Sequence, residues 1–258
     1  MKTSFIAALL VLLASCASGP PSLPYPAWID VDDLPDAFVA GLPGARAKQL
    51  AGDARTQRGS YRVEVPADWS FTTGASPGHS IEIFVLAGAL QLGEFPLAAG
   101  GYAWLPAGMP GMSMRSANGA LMLYFVDDAD PRAVIQTPLI SSSHLVDWQQ
   151  QDIGVALKEL RADPGSGART WLLRLSPEAL LDWQKSSQPV EGYLLSGAID
   201  YSECSNGKVV TAAYLPGRYF LRPSGTVHGG PATRTASGAT WFLRVAGTET
   251  IDTLNGCN

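Results

Sequence analysis

Histidine and cysteine are scarce here, three of each in 258 residues. With only His79, His144 and His228 available, most of a metal site built on several imidazoles cannot be filled. There is no CxxC pair, Walker loop or dinucleotide fingerprint, and Ser141-Ser-Ser-His144 lacks the nucleophile elbow of a hydrolase. No cluster of Lys and Arg occurs and the net charge is −5, so nucleic acid is not an expected partner. Helical periodicity is weak, with its best stretches at 34–50 and near 178–183. After the N-terminus no second long hydrophobic run appears, and the body is expected to be soluble.

What is present begins with an address. Lys2 precedes an apolar run, Phe5 to Leu13, which is too short to span a bilayer and ends in Leu13-Ala14-Ser15-Cys16. This resembles a bacterial lipobox: residues 1–15 form the signal peptide and Cys16 is lipidated. Ala17 follows without an aspartate, so the resemblance implies a periplasm-facing lipoprotein of the outer membrane, held by its lipid alone. Residues 16–30, rich in proline, read as an extended tether. Cys204 and Cys257 remain, and an oxidising envelope would allow them to pair; the sequence supplies no distance between them.

The rest is short β-rich runs separated by Gly and Pro, which points to an all-β sandwich or barrel. The runs repeat. Glu82-Ile-Phe-Val-Leu-Ala-Gly88 matches Glu191-Gly-Tyr-Leu-Leu-Ser-Gly197 at an offset of 109, and Gly119 matches Gly238 at 119, with the extra residues near 204–208. Between these landmarks lies a Gly-Pro turn, Gly100 to Gly111 in one copy and Gly217 to His228 in the other. Two units in tandem follow, 31–138 and 139–258, with Ser141 to His144 as connector.

The order Glu, aliphatic strand, Gly, then Gly-x5-Pro-x-Gly-x-x-His (Gly217, Pro223, Gly225, His228) resembles the two motifs of the cupin superfamily. The mature chain resembles a bicupin, and its second half is similar to the ChrR-like and DUF4437-like group through Asp163 to Pro177, Glu191 to Gly197, Tyr201 and Arg222 to Gly229. The resemblance implies two jelly-roll β-barrels, each with a site at its open end. It also implies a divalent metal held by histidines and a carboxylate, with open positions for water or substrate.

Measured against that pattern, the second unit keeps Glu191 and His228 as candidate metal ligands, for Zn, Fe, Mn or Ni, while serine and glutamine stand where upstream histidines belong. An ionised Glu191 would pair with His228 and raise its pKa, with or without metal. The other reading of His228 is a cap on the turn. Tyr193, Trp183, Tyr219, Arg222 and Asp200 are candidate pocket residues, Arg222 as a clamp for a carboxylate or phosphate. The first unit keeps Glu82 and His79 but has Gly111 in the histidine position, and a spacing of three along a strand sends His79 and Glu82 to opposite faces. Glu82 is expected in solvent or paired with Arg115. The expectation is an envelope-anchored binder of a small molecule in the second unit. The alternatives are a divalent-metal enzyme (oxygenase or isomerase) acting on a small organic acid, and a non-catalytic interaction module. Bicupins often stack as homodimers, but this chain gives no interface signal.

Overall fold

The computed structural model describes residues 23–39, 41–53, 58–73 and 78–257. The signal segment and Cys16 lie outside them. Among the described residues the structure is all-β apart from two single-turn 3-10 helices, at Val31–Asp33 and Ser143–Leu145.

An eight-stranded sheet occupies the N-terminal half. Its spine is a long antiparallel pair, Arg58–Thr73 and Met112–Asp128, in register from Gly59 opposite Val126 to Thr73 opposite Met112. His79–Leu92 pairs on the other side of Met112–Asp128. The sheet encloses an apolar core that includes Tyr61, Val63, Ile81, Ile83, Met114 and Met122. The strand Leu139–Ser142 pairs with Gly101–Leu105 at its edge, so the segment expected as a connector extends this sheet.

The C-terminal half is built from a seven-stranded and a five-stranded sheet. Trp171, Leu194, Tyr214, Phe220 and Trp241 belong to the core they bury. Tyr214 and Phe220 meet Trp241 edge-on, with ring centroids 4.8 and 5.4 Å away. The extra residues near 204–208 are a longer hairpin, with Asn206 and Gly207 both at positive φ in its turn.

The repeat has a physical basis at its glycines. Gly88 and Gly197 sit at φ 72° and 79° at strand bends, where an added Cβ would lie 2.3 Å from the carbonyl of Gly119 and 2.0 Å from that of Gly238. Only glycine permits both the backbone and the approach.

A third apolar layer joins the halves. Phe84, Tyr102, Leu123 and Phe125 meet Leu172, Tyr193, Tyr219 and Phe242, and Phe125 stacks on Phe242 at 5.5 Å. The sheets that cross here are therefore buried on both faces.

Two sequence expectations are corrected. The described residues of 34–50 are not helical: they run as loop and short strand into Arg46–Asp53, and 178–182 is turn and loop leading into the strand Trp183–Ser186. The proposed tether is docked from Leu23 onward. Trp28 is buried beside Tyr214, and Ile29–Asp30 pairs with Arg218–Arg222, so this arm completes the C-terminal half.

Candidate functional site

The Pro223–Gly225 turn delivers the strand Val227–Gly229 into the five-stranded sheet, where the Gly225 N–H bonds the Ser186 carbonyl at 2.8 Å. His228 then stands in a row across the sheet, opposite Gln184 on one side and Glu203 on the other. A cavity of about 300 Å³ opens over this row, lined by Gln184, Ser186, Tyr201, Arg222 and His228. Its remaining walls include Trp171, Leu173, Phe220, Trp241 and Leu243.

The polar end is one connected network. Arg222 and Glu203, 3% and 0% exposed, form a bidentate pair, Nε to Oε2 at 3.0 Å and Nη2 to Oε1 at 2.6 Å. The Tyr25 hydroxyl, arriving on the N-terminal arm, also donates to Glu203 Oε2 at 3.1 Å. Arg222 lies over the Phe220 ring at 4.2 Å and the Tyr201 ring at 5.3 Å. Tyr201 Oη and His228 Nδ1 are 3.0 Å apart. Burial pushes the Tyr201 phenol up to about 12. Burial, then the Arg222 charge, pushes the His228 imidazole well below its ordinary value, so it is neutral near pH 7.

Glu191 is not part of this network. It faces the layer between the halves, accepting from the Tyr219 hydroxyl at 2.7 Å, with Arg244 Nη1 at 3.5 Å. Burial raises its pKa and the partners only partly offset this. The expected Glu191–His228 pair does not form, and the imidazole pKa moves down instead of up. Glu82 is the counterpart in the first half. It is 1% exposed, accepts from Tyr102 at 2.6 Å and from Thr170, and has Arg244 and Arg161 at 3.5 and 3.9 Å. It is neither solvent-facing nor paired with Arg115.

Among the other candidates, Arg222 lines the cavity and does clamp a carboxylate, but that of Glu203. Tyr193 and Tyr219 lie in the layer between the halves. Trp183 is buried under Gly230, and Asp200 is exposed, its backbone bridged to Arg234. His79 lies 4.0 Å from Asp128, and the unbroken register from His79 to Glu82 keeps the two on opposite faces. Gly111 is in the loop before Met112–Asp128. Cys204 and Cys257 form a disulfide that ties the C-terminal tail to the strand Ile199–Ser205. Sequence reasoning missed Glu203 and Tyr25 entirely. An acidic residue four positions into a strand carries no mark of a partner nineteen residues away.

The donor set around His228 does not fit a divalent metal. Among the described residues no group of three His, Cys, Asp or Glu side chains converges anywhere. Gln184 and Ser186 offer neutral oxygens where imidazoles would be needed, and Glu203 is already engaged by a guanidinium. The cation beside His228 is Arg222.

The architecture is of the cupin type. The chain belongs to the family described as a domain of unknown function, DUF4437, whose family model matches residues 28–251. Among solved structures it is similar to a candidate dioxygenase from Nostoc punctiforme, with a TM-score of 0.71 and 22% identity over 90% of this chain and 88% of that one. It is also similar to the protein Ylba from E. coli, with a TM-score of 0.66 and 15% identity over 84% and 89%. A variant of oxalate decarboxylase OxdC from Bacillus subtilis, an enzyme with Mn(II) centres, follows at 0.65 and 12% over 92% and 81%. At these identities the likeness is one of fold. No curated protein matches the sequence.

Proposed function

We propose that this chain is an envelope lipoprotein, signal peptide 1–15 with Cys16 lipidated, that carries two cupin units in tandem and binds a small molecule in the second without a metal. The outer-membrane address rests on Leu13-Ala14-Ser15-Cys16-Ala17 alone. The tandem reading is supported by the paired glycine bends at Gly88 and Gly197 and the paired Tyr102–Glu82 and Tyr219–Glu191 contacts. One observation carries the binding reading. The second unit holds a cavity of about 300 Å³ with apolar walls and a convergent polar end.

The rival reading, a Zn, Fe, Mn or Ni enzyme acting on an organic acid, has the fold in its favour but needs donors beyond His228. Metal analysis of the mature chain, purified without chelator or a histidine tag, separates the two. The expected result is no metal above trace after exposure to each ion, in the native protein and in His228→Ala alike. Near-stoichiometric metal that disappears in His228→Ala would overturn the proposal.

A further inference from the structure

The charge and hydrogen-bond inventory of the cavity restricts what it can hold; the argument rests on the binding reading above. Arg222 is its innermost charge, and Glu203 neutralises it through two hydrogen bonds from behind. At the rim Arg169 is paired with Glu159 at 3.0 Å and lies over the Trp171 ring at 4.8 Å. Glu249, also at the rim, has no cation partner among the described residues. A carboxylate ligand would thus meet a repelling carboxylate at the mouth and no unspent cation inside, at the cost of its own desolvation. A cationic ligand would face the Arg222 guanidinium.

The direction of the network defines the one strong contact on offer. The Arg222 cation lies 5.3 Å from the Tyr201 ring, so the phenol hydrogen is best placed pointing away from it, onto His228 Nδ1 at 3.0 Å. With Nδ1 accepting, the imidazole proton sits on Nε2, which has no protein partner among the described residues. The polar end therefore presents an N–H donor, flanked by Gln184 and Ser186.

We propose that the pocket takes an uncharged, largely apolar small molecule whose polar head is a carbonyl or hydroxyl oxygen received by His228 Nε2–H, and that it rejects organic acids of the same skeleton.

The test uses three probes of one chain length, 1-octanol, octanamide and octanoate, titrated by calorimetry at pH 7. The protein is the mature chain with Cys16→Ser, which retains all described residues and needs no detergent. The alcohol and amide should bind at least about tenfold more tightly than the acid, and His228→Phe should weaken them by about tenfold, the worth of one hydrogen bond. Glu203→Gln frees the Arg222 charge and should shift the preference towards octanoate. If Glu203→Gln does not fold, His228→Phe and the native ranking still decide. Octanoate binding as tightly as octanol in the native protein would overturn the ligand class while leaving the pocket a binding site. No saturable binding of any probe would remove the pocket as an apolar site, and the proposal would fall with the binding reading.

Discussion

At the scale of single residues, the Arg222–Glu203 pair decides what the second half can do. Both groups are out of water, and each is tolerable only because the other is there. Arg222→Met should cost about 3–5 kcal/mol, because it strands a buried carboxylate, and Arg222→Met with Glu203→Met should recover much of that loss. Denaturant unfolding of the two variants beside the native chain measures it; equal losses in the single and double variants would refute it. His228 adds a pH signature. Its folded pKa is lowered, so the unfolded chain takes up a proton that the folded chain refuses as pH drops below the ordinary 6.5. Stability should therefore be full well above that value and decline as pH falls through 6.5 towards the depressed folded value, and His228→Phe should flatten that part of the profile. His228 and Arg222 were legible in the sequence because a Pro-Gly turn fixes their place. Glu203, Tyr201 and Tyr25 converge on them only through cross-strand register and a returning arm, which no local pattern encodes.

Secondary-structure elements explain where that legibility failed for Glu82 and Glu191. Strand alternation normally tells the core face from the other. In His79–Leu92 the residues Ile81, Ile83 and Val85 face the core of the first half, while Glu82 and Phe84 face the layer between the halves. In Val190–Gly197 the same division sends Val190 and Leu194 inward and Tyr193 outward. Because both faces are buried, both read as apolar and the direction of the glutamate is hidden. The N-terminal arm misled for a different reason: proline suggests an extended chain but says nothing of docking. Trp28, packed against Tyr214 and donating its backbone N–H to the Tyr214 hydroxyl at 3.1 Å, makes the arm part of the fold. Trp28→Ala should cost about 3–5 kcal/mol, as for other buried aromatic truncations. Thermal melting reads this; an unchanged midpoint would mean that the arm is merely draped on the surface.

Across the whole molecule, the halves are locked by a buried charge cluster whose two carboxylates behave oppositely. Thr170 of the C-terminal half bonds Glu82 of the N-terminal half, and Arg244 reaches back to both glutamates and to Asp127. Burial opposes ionisation of each. At Glu82 the charges of Arg161 and Arg244, with the Thr170 and Tyr102 hydroxyls, overcome it and hold the pKa below the ordinary 4.5. At Glu191 burial prevails and the pKa is raised. The consequences for stability have opposite signs. Glu82 contributes stability above about pH 4.5 that is lost as pH falls through its depressed folded value. Glu191 favours the folded state when protonated, and that contribution is lost as pH rises from 4.5 through its raised folded value. Glu82→Gln should therefore destabilise the chain at pH 7 by about 3–5 kcal/mol, as expected when one partner of a buried pair is removed, and should reduce the acid loss. Glu191→Gln should be near neutral or stabilising at pH 7 and should gain nothing at pH 4. Unfolding free energies of the two variants at both pH values check the assignment, and a matching response from both would show that Arg244 serves the two carboxylates equally.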